Sequence, residues 1–376
     1  MVAPQEITKD TEEKTDPNLV LPQNPVAQRM PDLGALDSLI QDPKITEIMV
    51  NDLRNVMVES GGKISFSGYR FPSPEELSRV VRNLLESMGK VLTPEHPAAD
   101  GTLPDGSRVQ IVSPPISLLG TSFTIRKFPV RNLRLAELLK LDAMSPAMGQ
   151  FLSLCVKARL NILISGGTGS GKTTLLGALL GEVPASERLI LIEDTAELAL
   201  AHSNSLRLLT RPAAGLNPGV PARELLAHSL RMRPDRILLG ELRRGEAFDF
   251  LQAMNTGHEG SMSTLHSNSP RDALARLETL CLMGGVELPL LAIRKQITAA
   301  LDLIIQIRRS RDGKRRITQI SELTGIEGDT LLLQDLFVWE FSEARAPEGA
   351  FKATGFIPTF IEKAEQQGVL IPRSLF

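Results

Sequence analysis

Nine residues, GGTGSGKTT at positions 166–174, have the types and spacing to hold phosphate. Gly166, Gly167, Thr168, Gly169, Ser170, Gly171, Lys172, Thr173 and Thr174 satisfy G-x-x-x-x-G-K-[ST], with the apolar run NILIS before them and TTLLGALL continuing after Lys172. A strand before and a helix after is the context in which this motif works. Its glycines let successive backbone N–H groups turn inward around phosphate oxygens, and the helix N-terminus adds about half a positive charge. In that pattern Lys172 reaches the β- and γ-phosphates and Thr173 offers its hydroxyl to Mg²⁺. The pattern predicts nucleotide binding and leaves open what the nucleotide's energy is used for.

Hydrolysis further needs a group to orient or deprotonate water and carboxylates to hold the waters of Mg²⁺. RLILIEDTAEL ends an apolar strand on Glu193 and Asp194, and RPDRILLGELRRGEA ends another on Glu241. In a parallel sheet the C-terminal strand edges face the ligand. Asp194 and Glu197 read as either site or structural residues. Arg231, Arg233 and Arg236, flanking the second strand, read equally as phosphate or interface contacts and as solvated surface. A third stretch, TGHEGSMSTLHSNSP (256–270), holds His258 and His266, two of five histidines. A zinc-protease helix needs His-Glu-x-x-His, and Met262 stands where its second histidine belongs. Gly257 and Gly260 allow tight turns there.

The elements that must position these groups follow from periodicity. NILIS, RLILIE and RILLG are short apolar strands separated by helical stretches after Gly171 and near 222–231, which implies a mainly parallel sheet covered on both faces. Upstream, ITEIMVN and NVMVES alternate like strands, PEELSRVVRNLLES has helical spacing behind Ser73-Pro74, and RVQIVSP and TSFTIRKF read as strands. The predicted organisation is a disordered tail over 1–32, rich in proline and acid, a small α/β domain over 33–130, and a larger α/β domain over 131–376.

Composition narrows the function classes. A formal charge of −2 gives no broad basic surface, and one Trp with one Tyr leaves few rings to stack exposed bases, so nucleic acid is not an expected partner. Cys155 and Cys281 stand apart in apolar segments and are expected to be buried thiols. The N-terminus has no basic-then-apolar signal and no apolar run nears about 18 residues, so a cytoplasmic protein is expected, its membrane contact peripheral and through partners.

Taken together, the motifs resemble the type II/type IV secretion superfamily ATPases. GGTGSGKTT resembles that family's Walker A box, LIEDTAEL its Asp box, ILLGELR its Walker B box and TGHEGSMSTLHSNSP its His box, in family order. Within the superfamily, LQAMNTGHEGSMSTLHSNSPRDALARLETL, ITEIMVND and LPDGSRV most resemble the CpaF/TadA-type ATPase of tight-adherence pilus systems. The resemblance implies a RecA-like ATPase fold for the larger domain, with ATP and Mg²⁺ as ligands. It implies Glu193 as the water-activating acid, Glu241 as the Mg²⁺-associated Walker B glutamate, and His266 near the γ-phosphate. It also implies that Arg108 in DGSRV and Arg126 in TIRKF reach over the nucleotide, where a guanidinium stabilises charge on the transferring phosphoryl group. A homo-hexameric motor acting on an inner-membrane pilus assembly platform is the implied function. An ATPase of a type IV secretion channel is the alternative, ahead of a DNA motor or a nucleotide-gated scaffold.

Overall fold

The computed structural model describes residues 29–128, 132–213, 218–285, 287–310, 312–341 and 349–376. Most of the tail expected over 1–32 therefore lies outside the described residues. The chain divides into two compact units, one running to Val58 and resuming over Ser65–Lys127, the other made of Glu59–Ile64 and Phe128–Phe376.

The first unit opens with the short helix α1 (Asp37–Gln41). Strands β1 (Ile45–Val50), β2 (Val56–Ser60) and β3 (Lys63–Phe66) follow, the segment Glu59–Ile64 between the last two being grouped with the second unit, then helix α2 (Pro74–Ser87) and strands β4 (Ala98–Thr102), β5 (Arg108–Val112) and β6 (Ser122–Arg126). The sheet order is β3-β2-β1-β6-β5-β4. Helix α2 forms where the sequence sets Leu77, Val80, Val81 and Leu84 on one stripe, all buried. Its start is fixed by Ser73, whose side chain accepts from the Glu76 N–H, by Pro74, and by Glu75 and Glu76 in the positive first turn. That stripe packs with Ile48, Val56, Ile111 and Ile125 in one core.

The second unit begins with helices α3 (Leu135–Lys140) and α4 (Pro146–Lys157). Its chain then alternates: β7 (Ile162–Gly166), α5 (Lys172–Leu180), β8 (Leu189–Glu193), β9 (Ser205–Leu209), α6 (Ala222–Ser229), β10 (Arg236–Leu242), α7 (Glu246–Asn255), β11 (Met262–His266), α8 (Pro270–Met283) and α9 (Leu290–Ala300). It closes with β12 (Leu303–Arg309), β13 (Arg315–Glu327), β14 (Thr330–Phe341), β15 (Gly349–Ala353) and α10 (Ile361–Gln366). The order of the nine strands is β15-β14-β13-β12-β7-β11-β10-β8-β9.

From β12 through β9 every pairing is parallel, whereas β12, β13, β14 and β15 pair antiparallel as a wing on one side. Strands β7 and β8 are buried at every position, as central parallel strands must be. Two apolar layers cover the sheet, one built on Phe151, Leu176 and Phe337, the other on Phe250, Leu277 and Ile293. Because the strands are parallel, β7, β8, β10 and β11 deliver Gly166, Glu193, Glu241 and His266 to the same sheet edge. Among the described residues no helix is long and apolar enough to cross a membrane.

Candidate nucleotide site

The loop 166–171 joins the buried end of β7 to α5, and its glycines have distinct reasons to be there. A Cβ on Gly166 would fall 2.5 Å from both the Ile307 carbonyl oxygen and Ser170 Oγ, so the backbone approach leaves no room for a side chain. Gly171 caps α5 in the left-handed region at φ 100°, which favours glycine. Gly167 and Gly169 face open space. No side chain caps the N-terminus of α5, so its first N–H groups stay available to an anion. Lys172 Nζ donates to the carbonyls of Gly166 (2.9 Å) and Gly167 (3.0 Å), and Arg315 Nε donates to Gly169 O at 3.0 Å. Burial pulls the Lys172 pKa down, opposed by the negative charges of Glu241 and Glu197.

The three carboxylates of the turn after β8 are used differently. Glu193, 4% exposed, accepts at Oε1 from the N–H groups of Glu197 (3.0 Å) and Leu198 (3.1 Å), and its Oε2 lies 3.1 Å from Arg207 Nε. Burial pushes its pKa up, against the two N–H donors and Arg207. Asp194 accepts from Thr210 Oγ1 at 3.0 Å and pairs with Arg243 at 3.0 Å. Glu197 Oε2 accepts from Thr173 Oγ1 at 3.3 Å.

At the end of β10, Glu241 Oε2 is bound by Arg243 through Nε (2.8 Å) and Nη2 (2.7 Å). Arg243 thus bridges the ends of β8 and β10, and the adjoining N–H groups of Arg243 and Arg244 are capped by buried Glu246 at 2.7 and 2.8 Å. Oxygens that could hold Mg²⁺ at this edge are the Thr173 hydroxyl, 3.3 Å from Glu197, and the Glu241 carboxylate, since this ion takes one or two protein oxygens beside phosphate and water. Glu241, expected to share the metal with Thr173, pairs with Arg243.

His266 ends β11 in register with Gly166, directly beside the loop, and the Ser267 N–H donates to Gly166 O at 3.3 Å. His258 lies in the turn after α7, with Nδ1 3.2 Å from Ala253 O. Gly257 (φ 95°) and Gly260 (φ 80°) make the turns that the sequence requires there. Arg108 and Arg126 are cross-strand partners on β5 and β6, on the face opposite buried Val109, Ile111, Phe123 and Ile125. They belong to the first unit and the loop to the second.

Arg236 is fully buried and holds Glu187, which settles it as a structural residue. Sequence reasoning passed over Arg243 and Arg207. For Arg243 a signal exists, since residues two apart on a strand share a face and Glu241-x-Arg243 has that spacing. For Arg207 there is none, because it reaches Glu193 only through the pairing of β8 with β9.

Comparison with known proteins adds a family. The sequence pattern of the Type II/IV secretion system protein family matches residues 30–328. The conjugal transfer protein TrbB of Rhizobium radiobacter is 35% identical over 294 residues, which span 77% of this chain and 86% of TrbB. The type IV secretion system protein PtlH of Bordetella pertussis is 43% identical over 251 residues, 60% of this chain and 74% of PtlH. The ATPase DotB of Yersinia pseudotuberculosis shares the fold, with TM-score 0.56 at 19% identity over 77% of this chain and 78% of its own.

Proposed function

The chain belongs to the Type II/IV secretion system protein family, and from that premise we propose that it is an ATP-hydrolysing motor of a secretion or pilus-assembly machine. One observation carries this reading: a strand–GGTGSGKTT–helix loop with an uncapped helix N-terminus and Lys172 stands at the sheet edge where β8 and β10 end in acids. In this reading the second unit is a RecA-like ATPase domain. Lys172 and the first N–H groups of α5 hold the phosphates, and Thr173 and a neighbouring carboxylate hold Mg²⁺, which neutralises phosphate charge when bound.

In the reaction a water oxygen bonds to the γ-phosphorus, the bond from that phosphorus to the oxygen retained by ADP breaks, and the water's proton leaves with phosphate. The turn 193–198 supplies the acid that orients the water, and Glu241 serves once Arg243 releases it. Arg108 and Arg126 supply the guanidinium groups that stabilise the phosphoryl charge, an effect worth about 10³–10⁵ in rate for such a group. His266, next to Gly166, relays the state of the γ-phosphate to its neighbours.

The proposed working form is a cytoplasmic homo-hexamer that acts on the inner-membrane proteins of its machine, each ATP cycle driving a rigid-body movement. TrbB and PtlH favour the type IV secretion and conjugation branch, whereas the stretch LQAMNTGHEGSMSTLHSNSPRDALARLETL favours tight-adherence pilus assembly. Deleting the gene and restoring it with wild type or Lys172→Ala decides between them. A motor restores function only as wild type. Lost surface pili mark the pilus branch and lost exported cargo the secretion branch, while full rescue by Lys172→Ala defeats the motor reading.

A further inference from the structure

We propose that the segment Pro17–Pro22 of this chain, PNLVLP, docks in cis into an apolar groove on the first unit, with Leu19 and Leu21 as its anchors. Neither the groove nor its occupant takes part in the hydrolysis reading above.

The groove has a volume of about 810 Å³. Leu77, Val81 and Leu85 of α2 form one side of it, and Leu53, Leu92 and Leu119 line the rest. Leu77 and Val81 belong to the core of the unit, and Leu53, Leu85 and Leu92 pack against that core, so the lining is supported from behind. Leu119 is 77% exposed and its neighbour Leu118 93%, which leaves an apolar loop open to solvent beside the groove. Single exposed leucines are ordinary, whereas a groove lined with them marks a binding surface. Exposed Arg54 and Arg82 line it too. Against these two guanidinium groups stands one carboxylate, Asp52, which accepts from the N–H groups of Arg54 (2.7 Å) and Asn55 (2.9 Å).

The chain's own course leads to this place. Residues 1–28 precede the described ones, and from Arg29 the chain runs along α2: Met30 packs against the core, the Asp32 carboxylate pairs with Arg79 at 2.7 Å, and the Asp32 carbonyl accepts from Asn83 at 2.7 Å. Ser78 and Arg82, which line the groove, are the helix neighbours of Arg79 and Asn83. Leu21 lies eight positions before Arg29, room for about 26 Å of extended chain, whereas a helix is about 10–12 Å across.

The segment has the matching chemistry. Leu19-Val20-Leu21 is the bulkiest apolar run before Met30, and in extended chain Leu19 and Leu21 point to the same side. Pro22 biases Leu21 to that form. Residues 1–16 hold five acids and two lysines, a net negative charge that complements Arg54 and Arg82. A tail too polar to build a core of its own can still dock, and its tether supplies an effective concentration on the order of millimolar.

The test is disulfide cross-linking in the full chain, with Val20→Cys paired either with Ser78→Cys in the groove or with Glu86→Cys, on α2 but outside it. Cys155 and Cys281 are buried and do not compete. The bond between positions 20 and 78 is expected to form at least about tenfold faster than that between 20 and 86, to run as a single chain on a denaturing gel, and to slow about tenfold or more when Leu19→Asp and Leu21→Asp are added. Equal rates at positions 78 and 86, or a rate at 78 indifferent to the leucine substitutions, leave the groove to a partner outside this chain and overturn the proposal. A bond that joins two chains gives the groove to a second copy and overturns docking in cis.

Discussion

Replacing Arg236 by methionine is expected to destabilise the second unit by about 3 kcal/mol. The Arg236 side chain is fully buried, donates to both oxygens of Glu187 at 2.6 and 3.0 Å, and donates a third bond to the Val156 carbonyl at 2.7 Å. Methionine fills much of the volume but takes from Glu187 both of its close hydrogen bonds, leaving only Arg159 at 4.0 Å, while the Val156 carbonyl keeps the Arg159 N–H at 3.1 Å. Removing one member of a buried pair costs about 3–5 kcal/mol, and since Glu187 is 15% exposed and water can reach it, the lower end applies.

The assay is urea unfolding followed by tryptophan fluorescence. Trp339 is the sole tryptophan of the sequence and sits on β14 in this unit, edge-on to Phe351 at 4.6 Å and beneath Arg316 at 4.8 Å. Adding Glu187→Gln to the variant is expected to recover part of the loss, because the stranded charge disappears. A loss below about 1 kcal/mol, the range of exposed ion pairs, refutes the reasoning.

Two further expectations concern the loop and its acids. Gly166→Ala places a methyl 2.5 Å from a backbone carbonyl and is expected to cost about 1–3 kcal/mol, whereas Gly167→Ala meets nothing within 4 Å and should leave the unfolding midpoint unchanged; equal effects would refute this. Burial raises the Glu193 pKa above its ordinary 4.5, so its contribution to stability is complete below pH 4.5 and is lost as pH rises through the folded-state value. Wild type measured against Glu193→Gln should therefore lose stability as pH rises from 4.5, and a gain would show that Arg207 and the two N–H groups outweigh burial.

Much of the frame was legible because it rests on local rules. The stripe Leu77, Val80, Val81, Leu84 behind Ser73-Pro74 marks α2, and the runs NILIS and RLILIE mark β7 and β8. The phosphate loop was legible because its glycines and lysine act within nine consecutive residues. The antiparallel wing was not, since β13 and β14 gain their register from each other and from β12 rather than from a local pattern. Partners of the acids were hidden for the same reason: Glu193 meets Arg207 across a strand pairing, Asp194 meets Arg243 from 49 positions away, and Arg236 is buried by an acid equally distant in sequence. Spacing places Glu193 and Glu197 at one sheet edge. Only the fold shows that the first turns inward to its own backbone while the second turns to Thr173.

The central claim is tested most directly by phosphate release from Mg·ATP, measured per protomer across a series of protein concentrations for wild type and Lys172→Ala. The account requires release by wild type, rising per protomer as subunits assemble, and none by Lys172→Ala. Equal release by both proteins, or none by wild type at any concentration, contradicts it.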